Sequence, residues 1–243
     1  MPGGTCNLDD KGGIAVMNLD PDDLQPLEYQ IHRPEGMGSG APLLVLLHGR
    51  GGDERDLAGL IRLLPEGVVV VTPRAPFEGR PWGYGPGWAW YRYVSGARVV
   101  DDTLEASLIL LDQFMAKLEA DAVFEFGQRY LGGFSQGGTT SLAWALTRPD
   151  RLDGVVNLSG FLVESERVEI SERSAGGLPV FWGHGLRDPN IPFSLAEVGR
   201  DRLRRVGANV HEVDHPGGHR ITREEMAALH EWVARPEGPS RTP

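Results

Sequence analysis

The sequence predicts an α/β fold with a mostly parallel central sheet and helices on both faces. Apolar runs of strand length alternate with amphipathic segments of helical length. The runs are continuous, as in strands covered on both sides. Size agrees: 243 residues with 40% hydrophobic and 24% charged side chains suit a single domain with a full core. That composition is too apolar for a disordered chain.

In chain order, residues 1–24 are rich in Gly and Asp, lack periodicity and read as a loosely ordered extension of a domain spanning 25–234. Leu43–Leu47 and the valine run 68–71 read as core strands. Segment 102–119 puts Leu104, Leu108, Leu111, Met115 and Leu118 on one helical stripe, and Asp102 with Glu105 resembles a capping box. A strand around Tyr130 and Leu131 leads into a helix over 135–146. Val155, Val156 and Leu158 form the next strand, and Val180, Phe181 and Trp182 the one after. A helix over 193–206, a strand containing His211 and a helix over 222–233 complete the domain, with Thr222 as N-cap and Glu225 three residues on. Residues 235–243 read as a flexible tail. In such sheets ligands bind beyond the carboxyl ends of the strands, so chemistry is expected in loops that follow apolar runs.

Charge narrows the partners. Lys plus Arg is 24 against 34 Asp plus Glu, a formal charge of -10, which repels phosphate backbones and anionic membranes; no nucleic acid is expected. Cys6 is the single cysteine, so no intrachain disulfide and no Cys-based zinc site can form. No signal peptide or lipid anchor is legible, and the longest apolar block, Leu43–Leu47, is too short to enter a bilayer stably. A cytoplasmic location is the expectation. The sequence is compatible with a monomer or a homodimer.

Gly132-Gly-Phe-Ser-Gln-Gly-Gly138 follows a strand and precedes a helix, with Ser135 at the centre of G-x-S-x-G. A strand turning sharply into a helix leaves that hydroxyl exposed on strained backbone, and the glycines clear space around it. The bland alternative is a glycine-rich turn. Leu46-Leu-His-Gly-Arg-Gly-Gly-Asp53 follows the most apolar strand. In α/β-hydrolases the oxyanion of acyl transfer is held by the amide after the nucleophile and by one from such a loop. Gln136 and Arg50 occupy these positions. His48 is expected to brace the loop rather than act as a base.

A serine nucleophile needs an imidazole within reach and a carboxylate to orient it. Asp188 sits in the loop after the strand at 180–182, stiffened by Pro189 and Pro192; Asp153 and Asp201 are weaker rivals. His211, His215 and His219 are spaced by four, but Pro216, Gly217 and Gly218 forbid a continuous helix, so no metal site is expected. His219 is the expected base and His215 the fallback. His184 reads as loop packing, and His32 and His230 as peripheral. The order Ser135, Asp188, His219 is that of an α/β-hydrolase.

These residues together with Thr72-Pro-Arg-Ala-Pro76, Leu158-Ser-Gly160 and Gly183-His-Gly-Leu-Arg-Asp188 resemble the phospholipase/carboxylesterase family of α/β-hydrolases, which includes acyl-protein thioesterases. The resemblance covers roughly residues 40–235. It implies a serine esterase with Ser135, Asp188 and His219 as triad, the Arg50 and Gln136 amides as oxyanion hole, and no cofactor. Trp90-Tyr91-Arg92 stands where family thioesterases usually carry a Trp-aromatic-Asp sequence, which favours a small-ester hydrolase. The same groups would serve a thioesterase, a lactonase or a carbon–carbon bond hydrolase. A ligand-binding homologue without a working triad is the alternative from another class.

A small-molecule ester is the expected partner. The aromatic segment 79–96 holds Trp82, Tyr84, Trp88, Trp90, Tyr91 and Tyr93 among glycines and prolines, and reads as a loop forming a pocket wall, a lid or a covering flap. Trp90, Tyr91 and Arg92 are candidate substrate contacts, with Phe161 and Leu162 as the opposite wall.

Overall fold

A computed structural model describes residues 27–34, 39–120 and 125–235. The expected N-terminal extension and residues 236–243 of the expected tail lie outside them. The central sheet has seven strands: β1 (Tyr29–His32), β2 (Leu43–Leu47), β3 (Val69–Pro73), β8 (Arg129–Phe134), β9 (Gly154–Leu158), β10 (Pro179–Gly185) and β11 (Asn209–His215). Their spatial order is β1-β3-β2-β8-β9-β10-β11, and every pairing is parallel except β1 with β3. The helices are α1 (Asp101–Ala120), α2 (Gln136–Thr147), α3 (Glu172–Ala175), α4 (Phe193–Arg205) and α5 (Arg223–Val233).

Alternation along β2 shows why both sheet faces are covered. Leu43, Val45 and Leu47 pack with Leu104, Leu108, Leu111 and Met115 of α1, with Leu142 and Trp144 of α2 and with Leu203 of α4. Leu44 and Leu46 enter a second core with Met226, Leu229, Trp232 and Val233 of α5, and Leu57 and Leu64 flanking the 3-10 turn Ala58–Leu63. All five β2 residues are buried. Burial of this kind contributes roughly 1.5–3 kcal/mol per large apolar side chain.

Two expectations change. The capping box at Asp102 and Glu105 is absent: α1 already begins at Asp101, and Glu105 turns outward to pair with Arg167 at 3.3 Å. Segment 79–96 is not a simple loop. It contains the 3-10 turn Arg80–Trp82 and parts of two short ribbons, β4 (Phe77–Glu78) with β5 (Trp88–Ala89) and β6 (Tyr93–Ser95) with β7 (Arg98–Val99). The capping box of α5 forms: Thr222 Oγ1 accepts the Glu225 N–H at 3.1 Å, and the Glu225 carboxylate accepts the Thr222 N–H at 3.0 Å. Among the described residues, no helix is long and apolar enough to cross a membrane.

Candidate active site

The site lies at the carboxyl ends of β2, β8, β10 and β11. Ser135 joins β8 to α2 with φ 55° and ψ −116°, a conformation that L residues rarely adopt and that must be held by its surroundings. The restraint is a close approach of backbones. A side chain at Gly133 or Gly137 would collide with the carbonyl of Leu47 at the end of β2. The Ser135 N–H donates to Leu158 O at 2.8 Å, and Ser135 O accepts the Thr139 N–H at 3.1 Å. The turn is thus tied to its neighbouring strand and its own helix.

Three distant side chains meet there. His219 Nε2 lies 2.9 Å from Ser135 Oγ, and His219 Nδ1 lies 2.7 Å from Asp188 Oδ2. The other oxygen of Asp188, Oδ1, accepts the N–H groups of Asn190 and Ile191 at 2.8 and 2.9 Å, so the whole carboxylate is engaged. A carboxylate holding Nδ1–H leaves Nε2 with its lone pair toward the serine hydroxyl. Phe134 packs against the His219 ring with centroids 4.7 Å apart.

The loops carrying the acid and the imidazole are joined directly. The Leu186 N–H donates to His215 O at 2.9 Å, the Arg187 N–H to Gly217 O at 3.0 Å, and Arg187 Nε–H to Pro216 O at 2.6 Å. Gln136 supplies the first amide of α2, whose N–H has no intrahelical acceptor by position. Among the described residues, neither that N–H nor the Arg50 N–H makes a backbone hydrogen bond.

The other histidines have different partners. His48 donates from Nδ1 to Gly49 O at 2.7 Å and accepts the Ala75 N–H on Nε2 at 3.0 Å, which braces the 48–52 loop against the end of β3. Burial holds its pKa below the ordinary imidazole value. His184 donates from Nε2 to Ile191 O at 3.0 Å, and burial likewise lowers its pKa. His215 faces Gly217 and Glu225 rather than the serine. His211 packs on Phe181, and the exposed His230 reaches Leu63 O. Asp153 caps the Arg129 N–H at the start of β8, and Asp201 pairs with Arg204 on α4, so neither rival acid is at the site. Among the described residues, no cluster of three His, Cys, Asp or Glu side chains could hold a metal ion.

A cleft of about 190 Å³ opens beside Ser135 and His219. Tyr91 and Phe161 line it as expected, together with Tyr93, Phe134 and Ile191. Gly49, Arg50, Gln136 and Asn190 add its polar edge. Trp90, Arg92 and Leu162 do not line it. Trp90 is fully buried and donates from its indole to His48 O at 3.0 Å. Arg92 points to solvent while its N–H bonds Thr103 Oγ1, and Leu162 joins the core.

Sequence reasoning missed what holds the aromatic wall. The Gln136 side chain accepts the Trp90 N–H at 3.1 Å and donates to Tyr91 O at 2.9 Å, while Ser107 Oγ–H bonds Trp90 O. Burial raises the Tyr91 phenol well above its usual pKa, so it stays neutral. These bonds tie the segment around Trp90 to the first residue of α2 and to α1. The closeness of Asn190 and Ile191 to the site was detectable, because a short Asp-Pro-Asn-Ile turn brings the residues after Asp188 back to its carboxylate. Nothing in the sequence singled out Tyr93 or the Gln136 side chain for these roles.

A parallel sheet covered on both faces, with a strained serine between strand and helix and the acid and imidazole on later loops, defines an α/β-hydrolase. Residues 34–235 match the family model described as phospholipase/carboxylesterase, and the chain belongs to that family. It is 27% identical over 213 residues to acyl-protein thioesterase 1 of Neurospora crassa, covering 78% of this chain and 84% of that protein. The solved structure of esterase PE8 superposes with a TM-score of 0.73 at 26% identity, over 86% of this chain and 98% of that one. Zea mays acyl-protein thioesterase 2 shares the fold at a TM-score of 0.71 and 24% identity, covering 85% and 97% of the two chains. The protein is an ester-hydrolysing enzyme of the esterase and thioesterase type.

Proposed function

We propose that the protein is a serine carboxylesterase acting on small or medium carboxylic esters through an acyl-enzyme. The observation that carries this reading is the continuous hydrogen-bonded chain from Ser135 Oγ through His219 to Asp188, open to the cleft. Ser135 Oγ attacks the ester carbonyl as His219 Nε2 takes its proton. Asp188 keeps Nδ1 protonated and stabilises the imidazolium. The Arg50 and Gln136 amides receive the oxyanion, a contribution of about 10²–10³ in turnover for one donor. Collapse of the tetrahedral species returns the proton to the departing alcohol. Water then enters by the same route and releases the acid. No step calls for a cofactor.

Cleft size supports a short acyl group: about 190 Å³ is well below the roughly 300–1,000 Å³ of pockets that enclose drug-sized ligands. A thioester with a short acyl group would meet the same groups, and the likeness to a protein named acyl-protein thioesterase favours testing one. Ser135→Ala is expected to lower hydrolysis of nitrophenyl acetate and butyrate by about 10⁶-fold and to abolish labelling by a fluorophosphonate probe. Unchanged hydrolysis or labelling would reject the serine mechanism. An unlabelled wild-type serine would point to the silent homologue instead.

A further inference from the structure

Behind the site, His215 and Glu225 form a buried pair that the proposed chemistry does not use. His215 ends β11 and Glu225 stands in the first turn of α5. Their side chains are 6% and 0% exposed, and His215 Nε2 lies 3.6 Å from Glu225 Oε2. His215 Nδ1 accepts the Gly217 N–H at 3.1 Å, so the neutral ring carries its proton on Nε2, facing the carboxylate. Both His215 Nε2 and Glu225 Oε1 lack a hydrogen-bond partner among the described residues. A buried polar atom without a partner calls for an explanation, and two of the eight such side-chain atoms among the described residues stand together here. Gly217 is two residues before His219.

We propose that His215, oriented by Glu225, is a positioning residue for His219: it holds the Gly217 amide and with it the short loop that aims the imidazole at Ser135. Resting on the serine-esterase reading, this assigns the loop two supports. Arg187 grips it through Pro216 O and Gly217 O, and His215 grips it through the Gly217 N–H. Glu225 is anchored by the Thr222 N–H and sits against Gly183, where any side chain would collide with its carboxyl. Other charged groups around the pair are Asp214 on β11, Arg200 on α4 and Arg220, whose Nε stands beside the His215 ring at Gly217, and Arg200 is itself paired with Asp214 at 2.7 Å and with Glu212 at 3.6 Å. Burial, reinforced by Asp214, raises the Glu225 carboxyl to about 7 against the opposing pull of the Thr222 N–H and Arg200. Its charge therefore changes across the neutral range. When ionised, it attracts the His215 Nε2–H and stiffens the support; when protonated, it loosens it.

The test uses the full chain and a neutral short-chain nitrophenyl ester. His215→Leu removes the acceptor for Gly217 N–H and is expected to lower kcat by about 10–100-fold, by analogy with the loss when groups that orient metal ligands are removed, with KM within about twofold. His215→Asn keeps a side-chain acceptor near Nδ1 and is expected to recover most of that loss, which a volume effect would not do. It also keeps the test open if His215→Leu does not fold. Glu225→Gln mimics the protonated acid, so its kcat should match the wild type near about pH 6 and fall several-fold below it near about pH 8.5. Wild-type kcat in His215→Leu, equal kcat loss in the Leu and Asn variants, or a pH-independent ratio for Glu225→Gln would overturn the proposal. Probe labelling keeps the two readings apart. If Ser135→Ala abolishes labelling while His215→Leu labels at the wild-type rate, the esterase reading stands and the positioning role falls.

Discussion

His48 and His219 both belong to loops that close on the Ser135 turn, yet their rings are used in opposite ways. Both nitrogens of His48 meet backbone: Nδ1 donates to Gly49 O, and Nε2 accepts the Ala75 N–H. Both nitrogens of His219 meet side chains, Asp188 on one edge and Ser135 on the other. A backbone amide does not surrender its proton, whereas a hydroxyl beside an oriented imidazole can. Neighbours, not residue type, therefore decide which histidine is a brace and which a base. His48 also follows Leu46 and Leu47 of a buried strand and is held neutral by burial, while His219 keeps 13% of its side chain exposed at the cleft.

Substitution should separate the two rings most sharply at His219. His219→Ala is expected to reduce kcat by about 10⁴–10⁶-fold, read from steady-state hydrolysis of a short nitrophenyl ester. A loss under tenfold would make the two histidines equivalent and erase the contrast. Asp188→Asn should follow, at about 10⁴-fold, because an amide at that position favours the wrong imidazole tautomer. It also tests whether the carboxylate acts only through His219, so combining it with His219→Ala should add little further loss. The smallest effect on chemistry is expected for His48→Phe. It leaves the Ala75 N–H unpaired, at about 1–3 kcal/mol for one buried group, while Gly49 O keeps the Gly52 N–H at 3.1 Å. Thermal melting should show it as a drop on the order of 2–10 °C. A large kcat loss at unchanged melting temperature would show that His48 does more than brace the loop.

Much of the arrangement could be read before any coordinates. The stripe Leu104, Leu108, Leu111, Met115 and Leu118 lies buried on α1, because helical spacing can bury all five residues on one face. Thr222 and Glu225 form their capping box since both partners lie within one turn of chain. Asp102 and Glu105 had the same spacing and failed, because α1 starts earlier, at Asp101, and Arg167 draws Glu105 outward. Ser135 and Asp188 were legible since each follows an apolar run and is flanked by residues that shape its turn, and His219 since it follows two glycines and precedes a capped helix. Trp90 was misjudged as a substrate contact. Its composition suits a pocket wall, but its hydrogen bond to His48 O turns the ring into the support behind that wall.

By itself the sequence determined the layers, the serine turn and the order of the three candidate residues, because periodicity and turn chemistry act over a few neighbouring positions. Only the tertiary structure decided that His215 turns to Glu225 instead of the serine, which aromatic rings reach the cleft and that Gln136 ties the wall to the turn. Those outcomes depend on contacts between segments far apart in the chain, such as His219 with Ser135 and Gln136 with Trp90, whose geometry follows from strand register and packing across the whole sheet.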